Sequence, residues 1–333
     1  MDRFVVGTGR CGSTLLSRML AQSPEMLSIF EFFNGLPGDR RLTPDAVSGQ
    51  DLWDLISAPH PFITMVSSRG YDVDEICYPF DDPHTRYGRR DDLPWILVAA
   101  LPRLSDDPDQ LFDETRAFVL AQPLQPPAEH YRRLFEWFAA KAGKTCWNER
   151  CGSSIEFLPQ LAAAFPEGKF LHIMRRGEEA ALSMREMHPF RLAISLVESL
   201  DPEVDVVTAL DNKLPPAEGA DPLRGVFENR PPAYHFGRFW ADQVASGFRG
   251  VTRLRPDQYQ EVSFEELILE PVATMRAVAE FFELDPGRGD WIERAAGLVR
   301  GMPPSRLDKL DPEERDRLVE MCRFGNRLQG MVV

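Results

Sequence analysis

The chain is short of cysteine, of net positive charge and of long apolar runs. Its five cysteines (Cys11, Cys77, Cys146, Cys151 and Cys322) are odd in number and scattered. None has a Cys or His partner at zinc-ligand spacing, so neither a disulfide framework nor a metal site is indicated. Lys and Arg number 38 against 52 Asp and Glu, a net charge of −14 that argues against general binding of nucleic acid or anionic membrane. No apolar run approaches a membrane span, and Met1 leads straight into a strand-like segment, so a reduced, cytoplasmic protein is expected. With 333 residues, 43% of them hydrophobic, the chain is long enough for a substantial core. An anionic ligand would have to be held by local positive charge.

Some of that charge, Arg10 and Arg18, lies at the start, in FVVGTGRCGSTLLSRMLAQS. Phe4-Val5-Val6 fits a buried strand, Gly7 to Gly12 turns, and Leu15, Leu16, Met19 and Leu20 recur at helical spacing. A strand that hands over to a helix through a glycine-rich turn aims amide N–H groups and the positive helix end at one small volume. Arg10 adds a fork of donors suited to phosphate or sulfate oxygens, and Ser13 and Thr14 add hydroxyls.

The same letters satisfy three patterns. Gly7, Gly9 and Gly12 spell G-x-G-x-x-G, a dinucleotide fingerprint, with Glu31 at a distance fit to hold a ribose. Gly7 and Gly12 also fit G-x-x-x-x-G, but Ser13 stands where a Walker loop needs its Lys, which counts against an ATP or GTP hydrolase. The third pattern is G-x-x-R-x-G-S-T-L-L, running from Gly7 to Leu16.

Further along, Leu27 to Phe30 reads as a second strand ending at Glu31. Residues 33–129 carry many of the 28 prolines with aromatics between them, among them Trp53, Phe62, Trp95 and Phe112, and read as helices and loops covering the turn. Thr43-Pro44 has the form of a helix start. Residues 130–141 form an amphipathic helix, and Thr145-Cys146-Trp147 opens a strand ending in Asn148-Glu149-Arg150. Ser153 and Glu156 have capping-box spacing. Lys169 to Met174 is a strand, followed by Arg175-Arg176-Gly177 and a helix from Glu178 to Met187; it and the first strand could be neighbours in one parallel sheet. Residues 189–232 are Pro-rich and acidic and read as a loop-rich excursion. Helices follow from Tyr234, Pro271 and Asp311-Pro312, with a strand over Tyr259 to Phe264. There is no internal repeat, and one domain over 1–333 with 33–129 and 189–232 as inserted cover is the expected organisation.

Arg175 ends its strand and Ser183 lies eight positions on, two turns into the next helix. Together with the loop at 7–16, this resembles the sulfotransferase family that uses 3′-phosphoadenosine 5′-phosphosulfate (PAPS). YHFGRFWADQV, YQEVSFEELILEPVATMRAVAEFFEL and NERCGSSIEFLPQLAAAFPEGKF are similar to further stretches of that family. The resemblance implies an α/β fold, a P-loop-like central parallel sheet flanked by helices, with helical and loop insertions over the site. It implies that Gly9, Arg10, Cys11, Gly12, Ser13, Thr14 and Leu15 hold the 5′-phosphosulfate, and that Arg175 and Ser183 hold the 3′-phosphate. It makes Glu31, 21 positions after Arg10, the general base, and puts Arg150 where carboxylate-using members have a Lys on the bridging oxygen. Other members use His; His60 and His84 lie in irregular sequence and read as surface imidazoles, and His172 as core. Ser305 and Arg306 could close over the donor, without a local signal for it. The implied reaction is in-line sulfuryl transfer to a hydroxyl of a small-molecule, lipid-linked or carbohydrate acceptor, needing no metal and releasing 3′,5′-adenosine bisphosphate (PAP). The rival readings are a Rossmann-type NAD oxidoreductase, a small-molecule P-loop kinase and a non-catalytic nucleotide binder.

Overall fold

The fold is described from a computed structural model, over residues 1–71, 73–198, 200, 221 and 223–331. Five short strands, β1 (Arg3–Gly7), β2 (Met26–Phe30), β3 (Cys146–Arg150), β4 (Lys169–Met174) and β5 (Tyr259–Ser263), form one sheet in the order β2-β3-β1-β4-β5. Every neighbouring pair is parallel. All of β1 and all of β4 except Lys169 are buried, as a parallel sheet covered on both faces requires.

Helices α1 (Ser13–Leu20), α2 (Gly49–Ile56), α3 (Pro61–Ser68), α4 (Pro108–Leu120), α5 (Pro127–Lys141), α6 (Leu158–Ala164) and α7 (Gly177–Arg185) come first in the chain. They are followed by α8 (His188–Val197), α9 (Arg224–Glu228), α10 (Ala233–Val251), α11 (Phe264–Leu269), α12 (Pro271–Phe281), α13 (Trp291–Ala296) and α14 (Pro312–Leu328). Among the described residues no helix is long and apolar enough to cross a membrane.

Strand alternation decides which helices cover which face. Phe4, Val6 and Phe170 point to the side of Leu134 and Phe135 on α5 and Leu158 and Leu161 on α6. Val5, Leu171 and Ile173 point to Leu16, Met19 and Leu20 on α1, Met275 and Val278 on α12, and Trp291 on α13. The β1–β4 pairing aligns Phe4 with Phe170, whose rings stack at 5.3 Å. Because β3 and β4 flank β1, the chain leaves β1 for one side of the sheet and later crosses to the other. That arrangement opens a crevice at the carboxyl ends of the central strands.

Several expectations need correction. No helix starts at Pro44: Val47 is tied to Gln125 by two backbone hydrogen bonds (2.9 and 3.1 Å), and α2 begins at Gly49 under a capping box of Ser48 and Asp51. Ser153 and Glu156 make no such box. A 3₁₀ turn, Ser154–Phe157, precedes α6, and the Ser154 hydroxyl donates to the Cys151 carbonyl at 2.9 Å. The excursion expected over 189–232 holds α8, opened by Pro189 in its first turn, and α9. Its acidic run at 201–220 lies outside the described residues.

Candidate active site

The turn after β1 is built to be entered closely. Arg10 and Gly12 both take left-handed conformations, with φ of 62° and 98°. A Cβ on Gly12 would stand 2.3 Å from the Phe264 ring and one on Gly9 2.3 Å from Phe190, so any larger residue would collide with these rings. Helix α1 starts at Ser13 with Gly12 as its cap residue, and no side chain caps it. Its first-turn amides are therefore left facing a prospective anion.

One cavity of about 360 Å³ opens here, and Gly9, Arg10, Gly12, Ser13, Thr14, Glu31, Arg150, Arg175 and Ser183 all line it. Of the residues expected at the donor site, two differ. The Cys11 side chain is fully buried under the turn, where burial raises its thiol pKa, and Leu15 packs against the same cluster. Neither residue lines the cavity.

The second anchor meets the first. Arg175 Nη1 donates to the Arg10 carbonyl at 3.1 Å, and Arg10 Nε donates to Ser183 Oγ at 3.2 Å. The sequence suggests two pockets a nucleoside apart; here the Arg10 side chain bridges them, because adjacent strands leave their C-terminal turns within one arginine's reach. Arg175 lies 4.6 Å over Phe264, its Nε is buried without a partner, and burial lowers its pKa. The tail also arrives: Glu179 Oε1 accepts from Ser305 Oγ (3.1 Å) and from the amides of Arg306 (2.9 Å) and Leu307 (3.3 Å). Asn326 of α14 accepts from Gly177 N–H at 3.0 Å and donates to Glu178 at 2.9 Å, fixing the start of α7.

Glu31 follows β2 with φ of 54°, a strained conformation for a non-glycine residue. Its carbonyl accepts the Trp95 indole N–H, and its amide donates to the Arg150 carbonyl at 2.7 Å. Its carboxylate accepts from Arg150 Nη1 and, with both oxygens at 3.1 Å, from Gly152 N–H. Arg150 in turn donates to Ser17 Oγ and Thr14 Oγ1, both at 3.3 Å, so a buried ion pair ties the end of β2 to α1.

Residues 3–212, well over half of the chain, match the family model described as the Sulfotransferase family. The chain belongs to the sulfotransferase family. No curated protein matches it in sequence. Among solved structures it is similar to the sulfotransferase domain of the curacin biosynthetic pathway (14% identity, 97% of each chain, TM-score 0.46). It is also similar to a sulfotransferase from Alicyclobacillus acidocaldarius (16% identity, 99% of this chain and 94% of that one, TM-score 0.40). A mouse sulfotransferase complexed with PAP matches at 12% identity, over 99% of this chain and 87% of that one, with a TM-score of 0.44.

The sulfotransferase places further residues in the cavity that its sequence did not single out, Asn34, Glu75, Gly152 and Phe190, together with Ser153, read from the sequence only as a helix cap. Phe62 and Trp95, noted only as cover aromatics, line it too. His60 is no surface imidazole. It caps α3, its Nδ1 accepts the Ile63 amide at 3.4 Å, and burial brings its pKa down to about 4. A neutral ring whose Nδ1 accepts an amide carries its proton on Nε2, which makes that nitrogen a donor and not a base. The His60-Pro61 pair, a cap followed by a first-turn proline, was the available signal. His84 is exposed outside the cavity, and His172 is core, its Nδ1 bonded to Tyr259 Oη at 2.7 Å.

Behind Glu31 lies Glu149, fully buried, accepting from the Phe32 amide (3.1 Å) and the Cys151 thiol (2.7 Å). Burial above all, with Glu31 nearby, raises its pKa to about 8 from 4.5. The folded state therefore binds a proton that the unfolded state releases. Stability contributed by this group is full below pH 4.5 and is lost as pH rises through about 8. Glu149→Gln is expected to flatten that decline, read as denaturation midpoints across this pH range.

Proposed function

We propose that this sulfotransferase moves a sulfuryl group from PAPS to the hydroxyl of a small-molecule, lipid-linked or carbohydrate acceptor, with Glu31 as the base. The observation that carries the reading is the convergence of the loop after β1 and the turn after β4 on one cavity, with Arg10 touching Ser183 and Arg175 touching Arg10. The residues suit a donor with anionic groups at both ends. Arg175 keeps a buried Nε–H without a protein acceptor, and the first turn of α1 is uncapped. When bound, PAPS supplies the activated sulfuryl group and a phosphate leaving group.

In this reading Arg10, Ser13, Thr14 and the turn amides of Gly9 to Leu15 hold the 5′ end, while Arg175 and Ser183 hold the 3′-phosphate. Their donors are fixed before charge develops on the leaving oxygen, which is where preorganised electrostatics lower a barrier. Glu31 accepts the acceptor's hydroxyl proton as that oxygen bonds to sulfur. Arg150 and Gly152 hold its carboxylate in place. The reading takes 1–333 as one domain and a cytoplasmic setting, supported by five free thiols.

Titration of the full chain with PAP, NAD and ATP tests the donor. PAP alone is expected to bind tightly, and a metabolite extract incubated with PAPS should gain products heavier by one sulfo group. Tighter binding of NAD than of PAP would overturn the reading.

A further inference from the structure

The transfer chemistry leaves one carboxylate in the cavity without a role. Glu75, in the segment after α3, lines the same cavity as Glu31 and is half-buried. The basic groups around it are committed elsewhere. Arg150 pairs with Glu31, and Arg10 donates to Ser183 beside the donor loop. Arg103 spends its guanidinium on the carbonyls of Asp74, Glu75 and Ala99. Among the described residues, then, the Glu75 carboxylate has no ion-pair partner. The same cavity is lined by Phe62, Val73, Trp95 and the neutral ring of His60, which lies 6.3 Å from Phe62 and 5.4 Å from Trp95. Burial raises the Glu75 pKa and the Glu31 charge adds to the rise, while its own backbone and the more distant charges of Arg10 and Arg150 oppose it.

A carboxylate partly withdrawn from water in an aromatic-lined cavity carries a desolvation cost that a cation can offset, and aromatic faces themselves attract one. An anionic donor in the other half of the cavity would occupy Arg10 and deepen the negative potential at Glu75. We infer that the acceptor carries a basic nitrogen, bound by Glu75 in the cavity that Phe62 and Trp95 also line, alongside the hydroxyl presented to Glu31. The substrate class is that of amino alcohols and hydroxylated aromatic amines. The inference rests on the proposed function for which half of the cavity receives the acceptor.

The test measures binding to the PAP-loaded full chain of hydroxyl compounds in pairs: tyramine against 4-ethylphenol, and glucosamine against glucose. The amine of at least one pair is expected to bind about tenfold tighter than its neutral twin. Glu75→Gln should erase that preference with PAP affinity retained, and Glu75→Asp, which keeps the charge, should preserve part of it. Equal binding of the twins by the unaltered chain, no amine binding, or a preference that survives Glu75→Gln each overturns the inference. A chain that binds amines through Glu75 but not PAP would instead sink the donor reading and leave the cation site standing.

Discussion

Arg175→Ala is expected to weaken PAP binding about a hundredfold, measured by calorimetric titration. Each hydrogen bond to a charged group contributes roughly 1.5–3 kcal/mol, and a guanidinium that grips phosphate with two N–H groups loses both at once. The side chain already donates to the Arg10 carbonyl at 3.1 Å, so its removal also frees the loop that holds the other end of the donor. Arg175→Lys separates the two contributions. It keeps the charge and loses the planar fork, and an affinity between those of the unaltered chain and the Ala variant is expected. Arg10→Ala should fall similarly, because its guanidinium faces the cavity and contacts Ser183. Unchanged PAP affinity in both Ala variants would remove these arginines from the donor site.

Glu31→Gln should leave PAP affinity near that of the unaltered chain and lower turnover by about a hundredfold or more, the usual range for loss of a general base. Glutamine can still accept from Gly152 N–H but cannot neutralise Arg150, whose charge would then be buried without its partner. Breaking such a pair costs about 3–5 kcal/mol of stability, so a fall in Tm should accompany the loss of turnover. Glu31→Asp provides the control. It retains the charge for Arg150 and withdraws the carboxylate by one methylene, so stability should recover further than turnover. Full turnover by the Gln variant would show that another group takes the proton.

The loop and turn proposed to hold the donor were legible in the chain because they are local. A strand, a turn and a helix start are consecutive, so Gly9, Arg10, Gly12, Ser13 and Thr14 had to share a small volume. The Arg175–Ser183 spacing works the same way on α7. Cys11 shows the limit of that logic: it lies within the motif, yet its side chain belongs to the core beneath the turn. The rest of the cavity was not legible. Glu75, His60 and Trp95 come from a segment without periodic pattern, and their positions depend on contacts far away in sequence. The Trp95 indole reaches the Glu31 carbonyl across 64 positions. The Ser153–Glu156 spacing misled because Gly152 and Ser153 serve the cavity, where Gly152 donates to Glu31.

By itself the sequence determined the strand–turn–helix units and the parallel arrangement they demand, since these follow from neighbouring residues and period. Only the tertiary structure decided that the two units touch, that Glu31 and Arg150 form a buried pair, and that an unpaired carboxylate faces them. Those facts depend on which strands lie side by side and on how a long aperiodic cover folds back over their ends, and no local pattern encodes either.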